Sequence, residues 1–176
     1  MSKRCARVVL AIAAVITASG VSRAEVVESG PAGFTVRHVV TVGVPPAEAY
    51  RRLVAVGEWW AKEHTYSGDA RNLTLDARAG GCFCEKLADQ GSVMHGQVVL
   101  AQPGKALRLV GGLGPLQQLG VAAALTWSLT PTPGGTAVEM IYAVGGYRPG
   151  GMDALAGIVD QVLGAQARRY QASASQ

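Results

Sequence analysis

Leu125-Thr126-Trp127-Ser128-Leu129, Thr130-Pro131-Thr132-Pro133-Gly134-Gly135-Thr136 and Ala137-Val138-Glu139-Met140-Ile141-Tyr142 follow one another as strand, turn and strand. Leu125, Trp127 and Leu129 alternate with less apolar residues, and so do Val138, Met140 and Tyr142, the period of a half-buried strand. A turn centred on Pro133 and Gly134 pairs Leu129 with Val138, Trp127 with Met140 and Leu125 with Tyr142. That register places all six on one side, whereas a one-residue slip would send half of them to water. The segment that follows is suited to cover this face. Residues 152–170 carry Met152, Leu155, Val159, Val162, Leu163, Gln166 and Tyr170 at spacings of three and four. Asp153 near the start and Arg168 with Arg169 near the end match the dipole of a helix. Such a helix runs roughly 30 Å, the width of a small sheet.

Upstream, residues 34–44 form an alternating, β-branched run that stops at Pro45-Pro46. Pro46 suits a first helical turn, Glu48 adds favourable charge there, and Ala49, Tyr50, Leu53 and Val54 make one apolar face. Gly57 ends that helix, and residues 58–62 read as a second short helical segment. Further strands are expected at 73–78, 82–87, 93–100 and 106–110, separated by Ala79-Gly80-Gly81, Asp89-Gln90-Gly91-Ser92 and Pro103-Gly104-Lys105. Residues 111–120 are long and apolar for a strand connection. Pro115 can open a short helix there and Gly120 can end it, as a lid or as a cap over the sheet. The order predicts an α+β domain, a curved antiparallel sheet of about six or seven strands wrapped on a long C-terminal helix. An open curved sheet of this kind leaves a cavity beneath the helix.

The 176-residue length suits one domain and a short appendage. Lys3, Arg4 and Arg7 precede the apolar run 8–18, and Ser22-Arg23-Ala24 follows, the three parts of a secretory leader. The run is short for a membrane span. The expected division is a leader at 1–24, a flexible start at 25–33, the domain at 34–171 and a disordered tail at 172–176. The formal net charge of +4 belongs to the leader. Four of the 16 basic residues lie in it, leaving 12 against 12 acidic ones. A neutral mature chain has no basic stripe for a phosphate backbone, so nucleic acid is not an expected partner. The Ala- and Gly-rich composition suits a bacterial, periplasmic destination, with no stable membrane span once the leader is removed.

Several patterns in order carry a family likeness. They are Val42-Gly43-Val44-Pro45-Pro46-Ala47-Glu48-Ala49-Tyr50, the pair Trp59-Trp60, and Ala79-Gly80-Gly81-Cys82-Phe83-Cys84-Glu85. Gly96-Gln97-Val98-Val99, Pro103-Gly104-Lys105-Ala106-Leu107-Arg108-Leu109 and Leu125-Thr126-Trp127-Ser128-Leu129 continue them. Residues 34–170 resemble the START-like, helix-grip superfamily (SRPBCC, or polyketide cyclase-like), and within it homologues of the heat-shock ATPase activator. The resemblance implies a helix-grip fold with an apolar ligand cavity. It carries over no common catalytic set, and an exported chain would not meet a cytoplasmic ATPase.

Cys82 and Cys84 flank Phe83 on one strand, so they point to one face about 6.5–7 Å apart, too far to bond without a kink or bulge. Two free, mostly buried thiols are expected, with a disulfide or a soft-metal site with His95 or His64 as rival readings. A hairpin near Gln90 sets His95 opposite Glu85 and Cys84 opposite Gly96. That places the acidic and imidazole groups on the face away from the cysteines, an exposed cross-strand pair if the cysteine side is the buried one. Glu85, His95 and Tyr142 are the candidates for acid–base chemistry if they face the cavity. The candidate ligand-contacting set is Trp59, Trp60, Tyr66, Cys82, Cys84 and Met94, with Leu109, Leu116, Trp127, Met140, Tyr142 and Val159. The aromatic members would look the same in sequence as core packing. No cofactor or metal is expected. The leading expectation is a carrier for a small apolar or aromatic molecule. A cyclase- or hydrolase-like enzyme in the same cavity, or a protein-interaction module, are the alternatives.

Overall fold

The computed structural model describes residues 23–175. The leader expected at 1–24 therefore lies outside the described residues, apart from the two that begin the first strand. The hairpin forms as its alternation requires. Strands β7 (Ala122–Thr132) and β8 (Gly135–Gly145) pair Leu125 with Tyr142, Trp127 with Met140 and Leu129 with Val138. All six side chains are buried.

Outward from this hairpin lie β1 (Arg23–Gly30) and β2 (Gly33–Val42) on one side. On the other lie β6 (Ala106–Val110), β5 (Ser92–Gln102), β4 (Cys82–Lys86) and β3 (Leu73–Leu75). The order β1-β2-β8-β7-β6-β5-β4-β3 is one eight-stranded sheet, antiparallel throughout. Six or seven strands were expected. Part of the difference is β1, which occupies the stretch read as a flexible start. Its backbone hydrogen-bonds to β2 along nearly its whole length, and that pairing does not depend on the weak apolar pattern of its side chains.

Helix α1 (Pro46–Val54) follows β2 and buries Ala49, Tyr50 and Leu53. The second helical segment is a pair of single 3-10 turns, Val56–Glu58 and Lys62–His64. Helix α2 (Asp153–Ala174) crosses the sheet, packing on β1, β2 and α1. Gly164 permits that approach, because a Cβ there would sit 2.8 Å from Cε1 of His38 on β2. The helix also outruns its expected end. Ala174 is fully buried, and Nη1 of Arg52 donates to the Ser173 carbonyl at 3.1 Å, so most of the supposed tail is helix packed on α1. Among the described residues, no helix is long and apolar enough to cross a membrane.

One face of α2 does two jobs. Ala156, Leu163, Ala167 and Tyr170 are buried, whereas Leu155, Val159 and Val162 are only half-buried and Ile158 is 62% exposed. Trp127 and Met140 gather with Ala167 and Tyr170 around a small void. The second stripe of α2 faces a cavity.

Candidate functional site

The cavity is about 580 Å³ and opens between α2, the segment 60–66, the connection 113–118 and the β8 side chain Tyr142. Trp60, Tyr66, Leu116, Tyr142 and Val159, five of the expected ligand-contacting residues, line it. The 3-10 turn Gly114–Leu119 opens at Pro115 and closes at Gly120 in the left-handed conformation, and it buries Leu116 over the cavity. Tyr66 and Ile158, 48% and 62% exposed, mark its mouth.

The connection is tied down from below. Tyr142 Oη accepts from the Leu113 amide at 2.9 Å and donates to the Gly111 carbonyl at 3.2 Å. Burial pushes its phenol up to about 12. With both hydrogen-bonding directions used and its proton firmly held, Tyr142 is a strut between sheet and connection. Gln117 adds a second tie, donating to the Met94 carbonyl at 2.8 Å.

Glu85 and His95 overturn the exposed-pair reading. Phe83 pairs with Gly96 but Cys84 pairs with Met94, so His95 is an extra residue on β5, a bulge. The bulge turns both His95 and Gly96 inward, and Glu85 with Phe83 occupies the same inner face of β4. His95 Nε2 then lies 2.9 Å from Glu85 Oε2. The carboxylate also accepts from the Tyr66 amide at 3.1 Å and the Ser67 amide at 2.5 Å. Burial pushes the Glu85 carboxyl up, but the hydrogen bonds from Ser67, Tyr66 and His95 outweigh it and hold the group below its ordinary value. Neither residue lines the cavity. They sit one layer behind it, with the His95 ring 5.9 Å from that of Tyr66 and 4.9 Å from that of Phe83.

The cysteines depart from expectation as well. Cys82 and Cys84 are joined as a disulfide, their Cα atoms 5.4 Å apart, not two free thiols. Both are half-buried on the outer face with Met94, which is 59% exposed. These three therefore do not reach the cavity. Leu109 is core, and Trp59, Trp127 and Met140 pack with Val40, Ala167 and Tyr170 around a void of only about 10 Å³. Trp59 is further fixed by Nε1 donating to the Leu53 carbonyl at 3.1 Å. Among the residues not anticipated are Leu155, Ile158 and Val162 on α2, Leu113 and Pro115 above, and Glu63, His64 and Thr65 at the side. Positions 155, 158, 159 and 162 do form an apolar stripe in the sequence, beside the stripe that packs the core.

No family model matches the sequence, and no curated protein is detectably similar to it in sequence. Solved structures are similar in fold. Protein MLL2253 from Mesorhizobium loti is 20% identical over 79% of this chain and 95% of its own, with a TM-score of 0.58. An uncharacterised protein from Rhizobium leguminosarum is 19% identical over 88% and 97%, with a TM-score of 0.57. StfQ, a di-domain ARO/CYC from the steffimycin biosynthetic pathway, is 16% identical over 82% of this chain and 51% of its own, with a TM-score of 0.56. At these identities the likeness is one of architecture, and it agrees with a helix-grip arrangement of antiparallel sheet and C-terminal helix.

Proposed function

We propose that this chain binds a small apolar or aromatic molecule in the cavity beneath α2 without transforming it. The observation that carries this reading is the disposition of the polar groups. The cavity wall is mostly hydrocarbon and of ordinary ligand-site size, about 300–1,000 Å³. The groups nominated in the sequence for acid–base work are committed elsewhere, Tyr142 to Leu113 and Gly111, and Glu85 to Tyr66, Ser67 and His95. That leaves Glu63 and His64 at one side as titratable members of the lining. The leader read in the sequence supports an exported, periplasmic carrier. The ordered motifs shared with homologues of the heat-shock ATPase activator support common ancestry, but a chaperone partner would require a chain that stays in the cytoplasm.

Native mass spectrometry of protein purified from its own host tests the carrier reading. A retained non-covalent mass of a few hundred daltons, lost on denaturation, is the expected result. A cavity that is empty after gentle purification and that rejects apolar dyes would sink it. A second reading, a cyclase-like enzyme, is supported by the buried Glu85–His95 pair one ring behind Tyr66 and by the ARO/CYC neighbour. Turnover of a bound compound, abolished by His95→Ala with binding retained, would favour that alternative.

A further inference from the structure

We propose that the Cys82–Cys84 disulfide is a thiol-exchange site, and that its oxidation state sets the shape of the ligand cavity through Phe83 and Glu85. The bridge joins residues two apart on one strand. The unfolded-chain entropy removed by a cross-link rises with the length of the loop it closes, and this loop is about as short as one can be. The strand needs no staple either. β4 is hydrogen-bonded to β3 through Leu73, Thr74 and Leu75 on one side and to β5 on the other. A bridge that contributes little to holding the fold is left with its chemistry as its distinguishing property.

That chemistry is accessible. Both cysteines are half-buried on the outer face, beside the exposed Met94 and Lys86. Lys86, two residues beyond Cys84 on the same face of β4, adds positive charge on the side from which an incoming thiolate approaches. A low-molecular-weight thiol or a dithiol protein is the co-reactant. Its thiolate attacks one sulfur, the Cys82–Cys84 bond breaks, and the other cysteine departs as a thiolate, leaving a mixed disulfide. A second thiolate attacks the co-reactant's sulfur in that mixed disulfide and releases the first cysteine. Two electrons enter the protein, which gains two thiols, and the co-reactant leaves as its own disulfide. The reverse sequence oxidises the pair.

The cavity is positioned to sense this exchange. The bridge holds the two Cα atoms at 5.4 Å, whereas an unconstrained strand spaces such residues about 6.5–7 Å apart. Phe83 lies between them, 2% exposed, with its ring 5.5 Å from Trp60 and 4.9 Å from His95. Glu85, the next inward residue, holds the amides of Tyr66 and Ser67. Trp60 and Tyr66 are cavity walls. Letting β4 lengthen therefore displaces the two side chains that support one side of the ligand site. The exchange chemistry stands independently, while its coupling to ligand affinity rests on the carrier reading.

The experiment equilibrates the full chain across ratios of reduced to oxidised glutathione, traps thiols by alkylation and quantifies the peptide holding Cys82 and Cys84 apart from Cys5. The pair is expected to convert between bridged and doubly alkylated forms while near-ultraviolet circular dichroism reports an intact fold. The apolar dye anilinonaphthalene sulfonate should bind the two forms with dissociation constants differing by about fivefold or more, the lower range of site–site coupling. By reciprocity, saturating dye should shift the ratio of squared reduced glutathione to oxidised glutathione at half-reduction by the same factor, since two glutathione thiols are consumed for each disulfide released. The double variant C82S/C84S should bind dye like the reduced form and ignore glutathione. A bridge that opens only after denaturation overturns the exchange site, and equal dye affinity in both forms overturns the coupling. Dye that binds neither form counts against the carrier reading instead. Hydrogen exchange at the Tyr66 and Ser67 amides then decides the coupling, since it requires faster exchange on reduction and is refuted by equal rates.

Discussion

His95 Nε2 lies 2.9 Å from Glu85 Oε2, and both residues are shielded from solvent, Glu85 at 1% and His95 at 5% exposure. β5 carries one residue more than β4 between Gly96 and Met94, and His95 is that residue. In an unbulged register His95 would lie directly opposite Glu85, and in the bulged one, where Glu85 pairs with Val93, it reaches the same carboxylate from beside Gly96. The carboxylate lies beneath the segment that forms the cavity mouth, and its lone pairs hold the Tyr66 and Ser67 amides in place.

Replacing Glu85 by Gln keeps the shape but exchanges an acceptor-only carboxylate for an amide, and one amide hydrogen must then face a donor. Charge-assisted hydrogen bonds of this kind are worth about 1.5–3 kcal/mol each, and a loss on that order is expected in urea unfolding of E85Q. The gap between wild type and variant should depend on pH. The folded pKa of Glu85 is below the ordinary 4.5, so its contribution is fully present above 4.5 and fades as pH falls through the folded value. A gap that stays constant between neutral pH and pH 3 would contradict this account.

His38 is a second acid-sensitive group of the same sign. Burial beneath Gly164 lowers its imidazole below 6.5, with Asp160 opposing and Arg168 assisting. Its Nε2 is 3.1 Å from Asp160 Oδ1, close enough for an ion pair but with no hydrogen bond formed. Stability attributable to His38 is therefore present above 6.5 and is lost as pH falls below it. Gly164→Ala would ordinarily favour a helix by roughly 1 kcal/mol. Here it should destabilise by about 1–3 kcal/mol, because the added methyl meets the imidazole in a packed layer. The double variant with His38→Ala should recover most of that loss in thermal melts. Failure of the second change to rescue the first would place the strain elsewhere.

Val159 lines the cavity and is half-buried. Val159→Trp should fill the site, weakening binding of an apolar dye or of the retained ligand by about tenfold or more while costing less stability than an overpacked core substitution, typically about 1–3 kcal/mol. Titration calorimetry beside a thermal melt separates the two effects. Undiminished binding would move the ligand site away from α2.

Deleting residues 172–176 should destabilise the domain, against the expectation for a loose tail. The deletion removes buried Ala174 and the Ser173 carbonyl that Arg52 uses. A loss of about 1–2 kcal/mol is expected from one small buried side chain and one hydrogen bond to a charged group. An unchanged melting temperature would show that this last turn is dispensable.

Alternation along β7 and β8, the Pro-Gly turn and the spacing of α2 are local signals, so the register of Trp127 with Met140 and the identity of the covering helix were legible in the amino-acid order. Pro115 and Gly120 marked the capping turn for the same reason. Trp60, Tyr66, Leu116, Tyr142 and Val159 could be nominated for the cavity, but not separated from Trp59, Trp127 and Met140, because core and cavity share one apolar surface. Only the seating of α2 against β1, β2 and α1 divides that surface, burying Ala167 and Tyr170 and leaving Val159 and Ile158 to an open space. The bulge at His95 is likewise a tertiary decision. One extra residue between paired strands leaves no mark on the local pattern, yet it shifts the register of β5 against β4 by one. Which face of β4 meets the core is set by packing, which puts Phe83 and Glu85 inside and the cysteines outside.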